Sequence, residues 1–226
     1  MRGYLAIPSG DGPWPGVIVI HDAFGLTPDL RHQCDWLAGE GFLTLGPDLY
    51  SRTNKFSCLR SIIVDLRAQR GPTFDAIDAA RTRLVSDDMC TGRVGVNGYC
   101  MGGGFSLLLA ANDHYEVSAV NYGDVPHDAA SVLAGACPVV ASYGAKDRRL
   151  SKHVVRLERA LDDDRVVHDL KVYPNAGHGF LNEHVGTPAV LIAVVGRLIG
   201  AHADEVSAND ARRRIVEFFT RFLKDR

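Results

Sequence analysis

The chain has 226 residues, 46% of them hydrophobic and 23% charged, ordinary proportions for a globular protein and too apolar for a disordered one. Its formal net charge is −2 and no run of five or more like charges occurs, so composition speaks against a nucleic-acid partner. Five cysteines, an odd number without a C-x-x-C pair, speak against a disulfide framework and a structural zinc site and leave reduced thiols as the expectation.

In chain order, Met1 to Pro8 lacks the basic start and 7 to 15 residue apolar core of a signal peptide, so the expected location is cytoplasmic. Gly16-Val17-Ile18-Val19-Ile20 is a β-branched run suited to a strand buried on both faces of a parallel sheet. After His21-Asp22-Ala23-Phe24-Gly25, Thr27-Pro28 is an N-cap and first-turn proline opening an amphipathic helix with Leu30, Cys34 and Leu37 on one face. Gly39-Glu40-Gly41 ends it, Phe42 to Leu45 forms a strand, and Pro47-Asp48-Leu49-Tyr50 leaves that strand as a loop.

Between Thr53 and Arg70, Leu59, Ile62, Ile63 and Leu66 have helical spacing amid basic residues, a candidate lid. Phe74, Ile77, Ala80, Leu84 and Val85 give a clearer helix leading into a strand at Val94 to Asn97. Further strands are predicted at Val117 to Tyr122, Val139 to Tyr143 and Val167 to Tyr173. Helices are predicted at Gly103 to Ala111, Lys152 to Leu161, Pro188 to Ile199 and Asn209 to Leu223. This alternation predicts βαβ units in one domain, 1–226, with a mostly parallel doubly wound sheet flanked by helices. The apolar stretch Thr187 to Ile199 contains Arg197 and is short of the roughly 20 residues that span a bilayer. Burial within the domain or a homodimer contact would account for it, so the expected state is monomer or homodimer, without membrane contact.

Gly98-Tyr99-Cys100-Met101-Gly102-Gly103 is a G-x-C-x-G sequence at a strand-to-helix junction, the nucleophile-elbow pattern of the α/β-hydrolase fold with cysteine in the usual serine place. The turn strains the nucleophile's backbone, so small residues must flank it, and the following helix's positive end favours a thiolate. A small buried filler is the plain alternative for Cys100. That fold requires an acid and then a histidine further along. Asp147 follows the strand ending at Tyr143 and His178 follows the strand ending at Tyr173, both at the sheet edge where sites collect. Capping of the next helix is the plain alternative for Asp147, and a surface role for His178.

These stretches, with Gly3-Tyr4-Leu5, Gly144-Ala145-Lys146-Asp147 and Ala176-Gly177-His178-Gly179-Phe180, resemble the dienelactone hydrolase family over nearly the whole chain. The resemblance implies an α/β-hydrolase fold and an ester or lactone hydrolase without metal or organic cofactor, acting on a small molecule. It implies Cys100 as nucleophile, His178 as base, Asp147 as its orienting acid, and an acyl-enzyme resolved by water. In such a fold the expected oxyanion donors are the backbone N–H of Met101, just after the nucleophile, and that of Ala23, on the loop after the first clear strand. Asp22 stands where the family usually has a glutamate that helps activate the thiol. Asp22, Tyr50, Tyr122 and Asn182 are candidates for nucleophile activation or substrate contact.

The family members that act on lactone carboxylates grip the carboxylate with arginines, one of them a few residues after the histidine. Here that stretch reads Gly179-Phe180-Leu181-Asn182, and a neutral amide cannot replace a bidentate guanidinium. Arg52, Lys55, Arg60, Arg67 and Arg70 are candidate substitutes, with a solvated basic helix face as the plain alternative. The sequence also admits a reading of another class, a non-catalytic binding or thiol redox-sensing module of the same fold.

Overall fold

The computed structural model describes residues 2–51, 55–147, 151–183 and 200–225. Its strands form a seven-stranded sheet in the order β1-β3-β2-β4-β5-β6-β7. These are β1 (Gly3–Ala6), β2 (Trp14–Ile20), β3 (Leu43–Pro47), β4 (Cys90–Tyr99), β5 (Val117–Asn121), β6 (Val139–Gly144) and β7 (His168–Tyr173). All neighbours are parallel except β1, which runs antiparallel to β3. The helices are α1 (Pro28–Gly39), α2 (Lys55–Ala68), α3 (Pro72–Val85), α4 (Met101–Leu109), the single turn α5 (Ala129–Val132), α6 (Ser151–Asp163) and α7 (Glu205–Phe219). A π-helical turn at Thr220–Lys224 continues α7.

The continuous apolar run of β2 divides between two cores. Val17 and Val19 pack in the cluster that holds Leu30, Cys34 and Leu37 of α1 and Ile215 and Phe219 of α7. Ile18 and Ile20 pack on the opposite face with Ile77 and Leu84 of α3 and Phe105 of α4. All four side chains are fully buried, worth roughly 1.5 to 3 kcal/mol each. Two-sided burial is why the run shows no polar alternation. On the α7 face, Arg214 is a buried cation that binds Asp169 of β7 at 2.7 Å, the Ser142 hydroxyl of β6 at 3.1 Å and the Tyr173 hydroxyl at 3.1 Å. It ties the final helix to two adjacent strands.

The doubly wound sheet is as predicted, and the ambiguous segment before Arg70 forms the helix α2. The differences are local. β1 is unannounced because it is only four residues long, too short to show a period, and only Ala6 in it is buried. β4 starts at Cys90 and α4 at Met101, and α7 starts at Glu205, where Asp204 caps it through the Ser207 N–H at 3.1 Å. The predicted helix at Pro188 to Ile199 lies outside the described residues.

Candidate active site

At the end of β4 the backbone turns through Cys100, whose φ of 55° and ψ of −112° lie in a region that side-chain-bearing residues rarely occupy. The turn is possible because the residues two positions to either side, Gly98 and Gly102, have no side chains. A Cβ on Gly98 would come within 2.0 Å of the Gly102 carbonyl oxygen, and one on Gly102 within 2.3 Å of that of Ile20. Cys100 thus stands ahead of the first turn of α4, half-buried, with its N–H bonded to Asn121 O at 3.0 Å.

The loops after β6 and β7 meet backbone to backbone. Lys146 N–H donates to Ala176 O at 3.0 Å, and Gly144 lies so close that a Cβ there would sit 2.5 Å from the same oxygen. This contact brings Asp147 under His178, whose Nδ1–H donates to Asp147 Oδ2 at 2.6 Å, both side chains being buried. The carboxylate fixes the tautomer and leaves Nε2 as the free lone pair of the neutral ring. Nε2 is buried without a well-formed hydrogen bond. Burial by itself would lower the His178 pKa, but the negative charge of a Cys100 thiolate and the bond to Asp147 outweigh it and raise the pKa to about 10. Cys100, His178 and Asp147 are therefore brought together, and the ring bears on the thiol.

The loop after β2 forms the opposite wall. His21 is fully buried, and Leu49 N–H donates to its Nε2 at 3.2 Å, so its proton resides on Nδ1, which donates to Asp22 O at 2.6 Å. Asp22 C=O and Ala23 N–H belong to one peptide plane. Anchoring the carbonyl therefore orients the N–H. Tyr50 holds the next peptide, its hydroxyl donating to Ala23 O at 2.8 Å. Neither Ala23 N–H nor the first-turn Met101 N–H is committed to a hydrogen bond among the described residues. Asp22 is buried, and its Oδ1 accepts Phe24 N–H at 2.8 Å. Burial raises its pKa to about 6 against the opposing pull of that bond. No hydrogen bond joins it to Cys100 among the described residues.

The cleft above Cys100 has a volume of about 790 Å³ and is lined near the thiol by Ala23, Met101, Tyr122 and His178. Leu59, Ile63 and Leu66 of α2 form its apolar wall, so α2 is a cover. Arg67, His127 and His153 are among the polar residues lining it. Tyr122 packs its ring on the His178 imidazole, centroids 5.2 Å apart. Asn182 does not line the cleft; it lies behind Tyr122, accepting the Tyr122 hydroxyl at 2.5 Å and donating to Asp29 at 2.6 Å. Tyr50 likewise acts from behind, through Ala23. Sequence reasoning assigned no role to His21, although it lies in the stretch 21–25, because its bond to Leu49 N–H appears only in the fold. It missed Asp29, whose partners Asn182 and Glu183 are distant in the chain. No group of three or more His, Cys, Asp or Glu side chains suited to a metal occurs among the described residues.

A parallel sheet with a glycine-flanked thiol elbow and a buried carboxylate–histidine pair at its carboxyl edge defines a hydrolase of the α/β-hydrolase fold. The characteristic pattern of the dienelactone hydrolase family matches residues 1–223, and the chain belongs to that family. Its relatives include a carboxymethylenebutenolidase of Rhodococcus opacus, 30% identical over 97% of this chain and 86% of that protein. Protein usf of Aquifex pyrophilus is 31% identical over 81% of this chain and 83% of its own. Among solved structures, a dienelactone hydrolase-like promiscuous phosphotriesterase from metagenomic libraries superimposes with a TM-score of 0.79. That match covers 98% of this chain and 92% of the other at 21% identity, a likeness of fold. None of the described helices is long and apolar enough to cross a membrane.

Proposed function

We propose that this hydrolase cleaves a carboxylic ester or lactone through a Cys100–His178–Asp147 triad and an acyl-enzyme, working as one domain. The observation that carries the reading is the buried 2.6 Å Asp147–His178 bond, which presents Nε2 toward a thiol held on a strained elbow. His178 Nε2 takes the Cys100 proton as Sγ attacks the carbonyl carbon, and the charge developing on the carbonyl oxygen is met by the Ala23 and Met101 N–H groups. His178 returns the proton to the leaving alkoxide, which in a lactone stays tethered to the acyl group. It then deprotonates water, whose attack on the thioester releases the acid and the thiol.

Arg67 lines the cleft but is solvent-exposed, and an exposed ion pair is worth roughly 0 to 1 kcal/mol. With Asn182 behind the wall, a substrate carboxylate therefore gains less than about tenfold, and neutral short esters and uncharged lactones compete with carboxylate-bearing ones. The test is turnover of p-nitrophenyl esters and small lactones, with and without a free carboxylate. Cys100→Ala should remove activity, and iodoacetamide should abolish it in step with labelling of Cys100. His178→Ala should cost at least the roughly 10² to 10⁴-fold of a lost general base. A Cys100→Ala protein that keeps most of its rate overturns the triad, and a hundredfold preference for the anionic lactone overturns the specificity.

A further inference from the structure

Asp29, in the first turn of α1, is 3% exposed. It does not touch the cleft, and its two oxygens grip the loop that carries the imidazole. Oδ1 accepts Glu183 N–H at 2.9 Å and Oδ2 accepts Asn182 Nδ2 at 2.6 Å. The directions are forced, because a carboxylate only accepts and a backbone amide only donates. Asn182 must turn its NH₂ toward Asp29 and its oxygen toward Tyr122, so the Tyr122 hydroxyl must donate. Tyr122 has a φ of 43° and a buried ring lying on His178. A second tether reaches the same loop from α1, where Gln33 Nε2 donates to Leu181 O at 2.9 Å.

We propose that Asp29 is a positioning residue for His178. By clamping Asn182 and Glu183 it fixes the loop bearing the imidazole and, through the Asn182 amide, the Tyr122 ring against which that imidazole packs. The proposal rests on the reading of His178 as the base. Its distinguishing consequence is that hydrogen-bond polarity, not bulk, is what matters at positions 29 and 182. Asp29→Asn makes Asn182 either set its NH₂ against another amide NH₂ or flip and turn that NH₂ on the Tyr122 oxygen. The flip reverses the bond to Tyr122 and leaves its O–H proton without this acceptor. Asn182→Asp sets two carboxylates face to face. The double variant restores every bond. Its amide at position 29 donates to the carboxylate at position 182 and keeps an oxygen for Glu183 N–H, while the second oxygen of that carboxylate accepts the Tyr122 hydroxyl.

The experiment measures kcat and KM on p-nitrophenyl acetate, the pH dependence of Cys100 alkylation by iodoacetamide, and Tm. The proteins compared are the wild type, both single variants, the double variant and Tyr122→Phe, with Asn182→Asp also placed in a His178→Ala background. Each single should lower kcat between about tenfold and a hundredfold, the scale of a misplaced catalytic group, with KM little changed and the alkylation profile displaced. The double should recover to within about threefold of the wild type. Tyr122→Phe, which alters no charge, should lose severalfold in kcat. In the His178→Ala background Asn182→Asp should add nothing, since residues acting through one another are not additive. Singles that match the wild type, or a double no better than the worse single at equal Tm, overturn the positioning role. A His178→Ala protein that retains its rate overturns the base assignment instead, so the two failures are distinguishable.

Discussion

The two halves of the site are held by different physics. On the elbow side, Cys100 is placed by sterics: glycines at 98 and 102 let backbone approach backbone, and the strained residue has nowhere else to go. On the histidine side, His178 is placed chiefly by polar contacts, its own bond to Asp147 and the tethers of its loop to Asp29 and Gln33, with the Tyr122 ring packed against the imidazole. Van der Waals exclusion acts at contact and cannot be half satisfied, whereas a hydrogen bond can be removed and leave shape intact. Damage to the elbow should therefore disturb fold and function together. Damage to the histidine support should separate them.

The sharpest form of that contrast is Asp147→Asn. The amide keeps the volume but loses the charge that supports an imidazolium and fixes the tautomer, so kcat should fall by about 10³ to 10⁴-fold. Tm should stay near the wild-type value. Loss of cooperative unfolding in this variant would show that the histidine side is structural after all. Gly98→Ala is the counterpart on the elbow, adding a Cβ 2.0 Å from a carbonyl oxygen and 2.3 Å from its carbon, both backbone atoms. The cost should be at least about 3 kcal/mol of stability, at or beyond the usual upper end for overpacking. A Gly98→Ala protein with unchanged denaturant midpoint would break the comparison.

The same difference explains what the sequence reveals. The elbow is legible because its steric requirements fall on consecutive residues, and the acid and histidine because chain order and strand ends constrain them. The apolar run 16–20 announces β2, since a strand buried on both faces must be apolar throughout. Asp29 and Gln33 leave no such trace. Each acts on a partner brought near by the fold, across 153 residues for Asp29 and Asn182 and 148 for Gln33 and Leu181. β1 is silent for a related reason: it gains its place from backbone pairing with β3, which any residue provides.

Asp22 tests whether the wall facing the histidine holds stress of its own. Its buried carboxyl has a pKa raised to about 6, so the folded state binds this proton more tightly than the unfolded chain. The associated stability is fully present below about 3.8 and is lost as pH rises through about 6. At neutral pH the ionised group is a burden. Asp22→Asn keeps an oxygen for Phe24 N–H and removes the titration. It should leave stability little changed at pH 4 and raise it at pH 7.5 by an amount on the order of 1 to 3 kcal/mol. Urea unfolding at the two pH values measures this, and a gain independent of pH would show that the carboxylate is not strained by burial.

The smallest effect is expected where the two kinds of support meet, at Tyr50. Its ring is packed as tightly as the elbow: Gly25 has a φ of +89°, and a Cβ there would meet the ring at 2.6 Å. Its hydroxyl acts like the histidine supports, holding the Ala23 carbonyl at 2.8 Å. Tyr50→Phe removes the second role and keeps the first, including the contact of its ring with His21 at 5.0 Å. The peptide that presents Ala23 N–H remains anchored by His21 through Asp22 O, so the proposed oxyanion donor should loosen without being lost. One neutral hydrogen bond is worth roughly 0.5 to 1.5 kcal/mol, which corresponds to a fall in kcat of about two- to tenfold with KM nearly constant. A loss of a hundredfold or more would mean that the hydroxyl reaches the reacting atoms directly, and that this wall carries chemistry as well as shape.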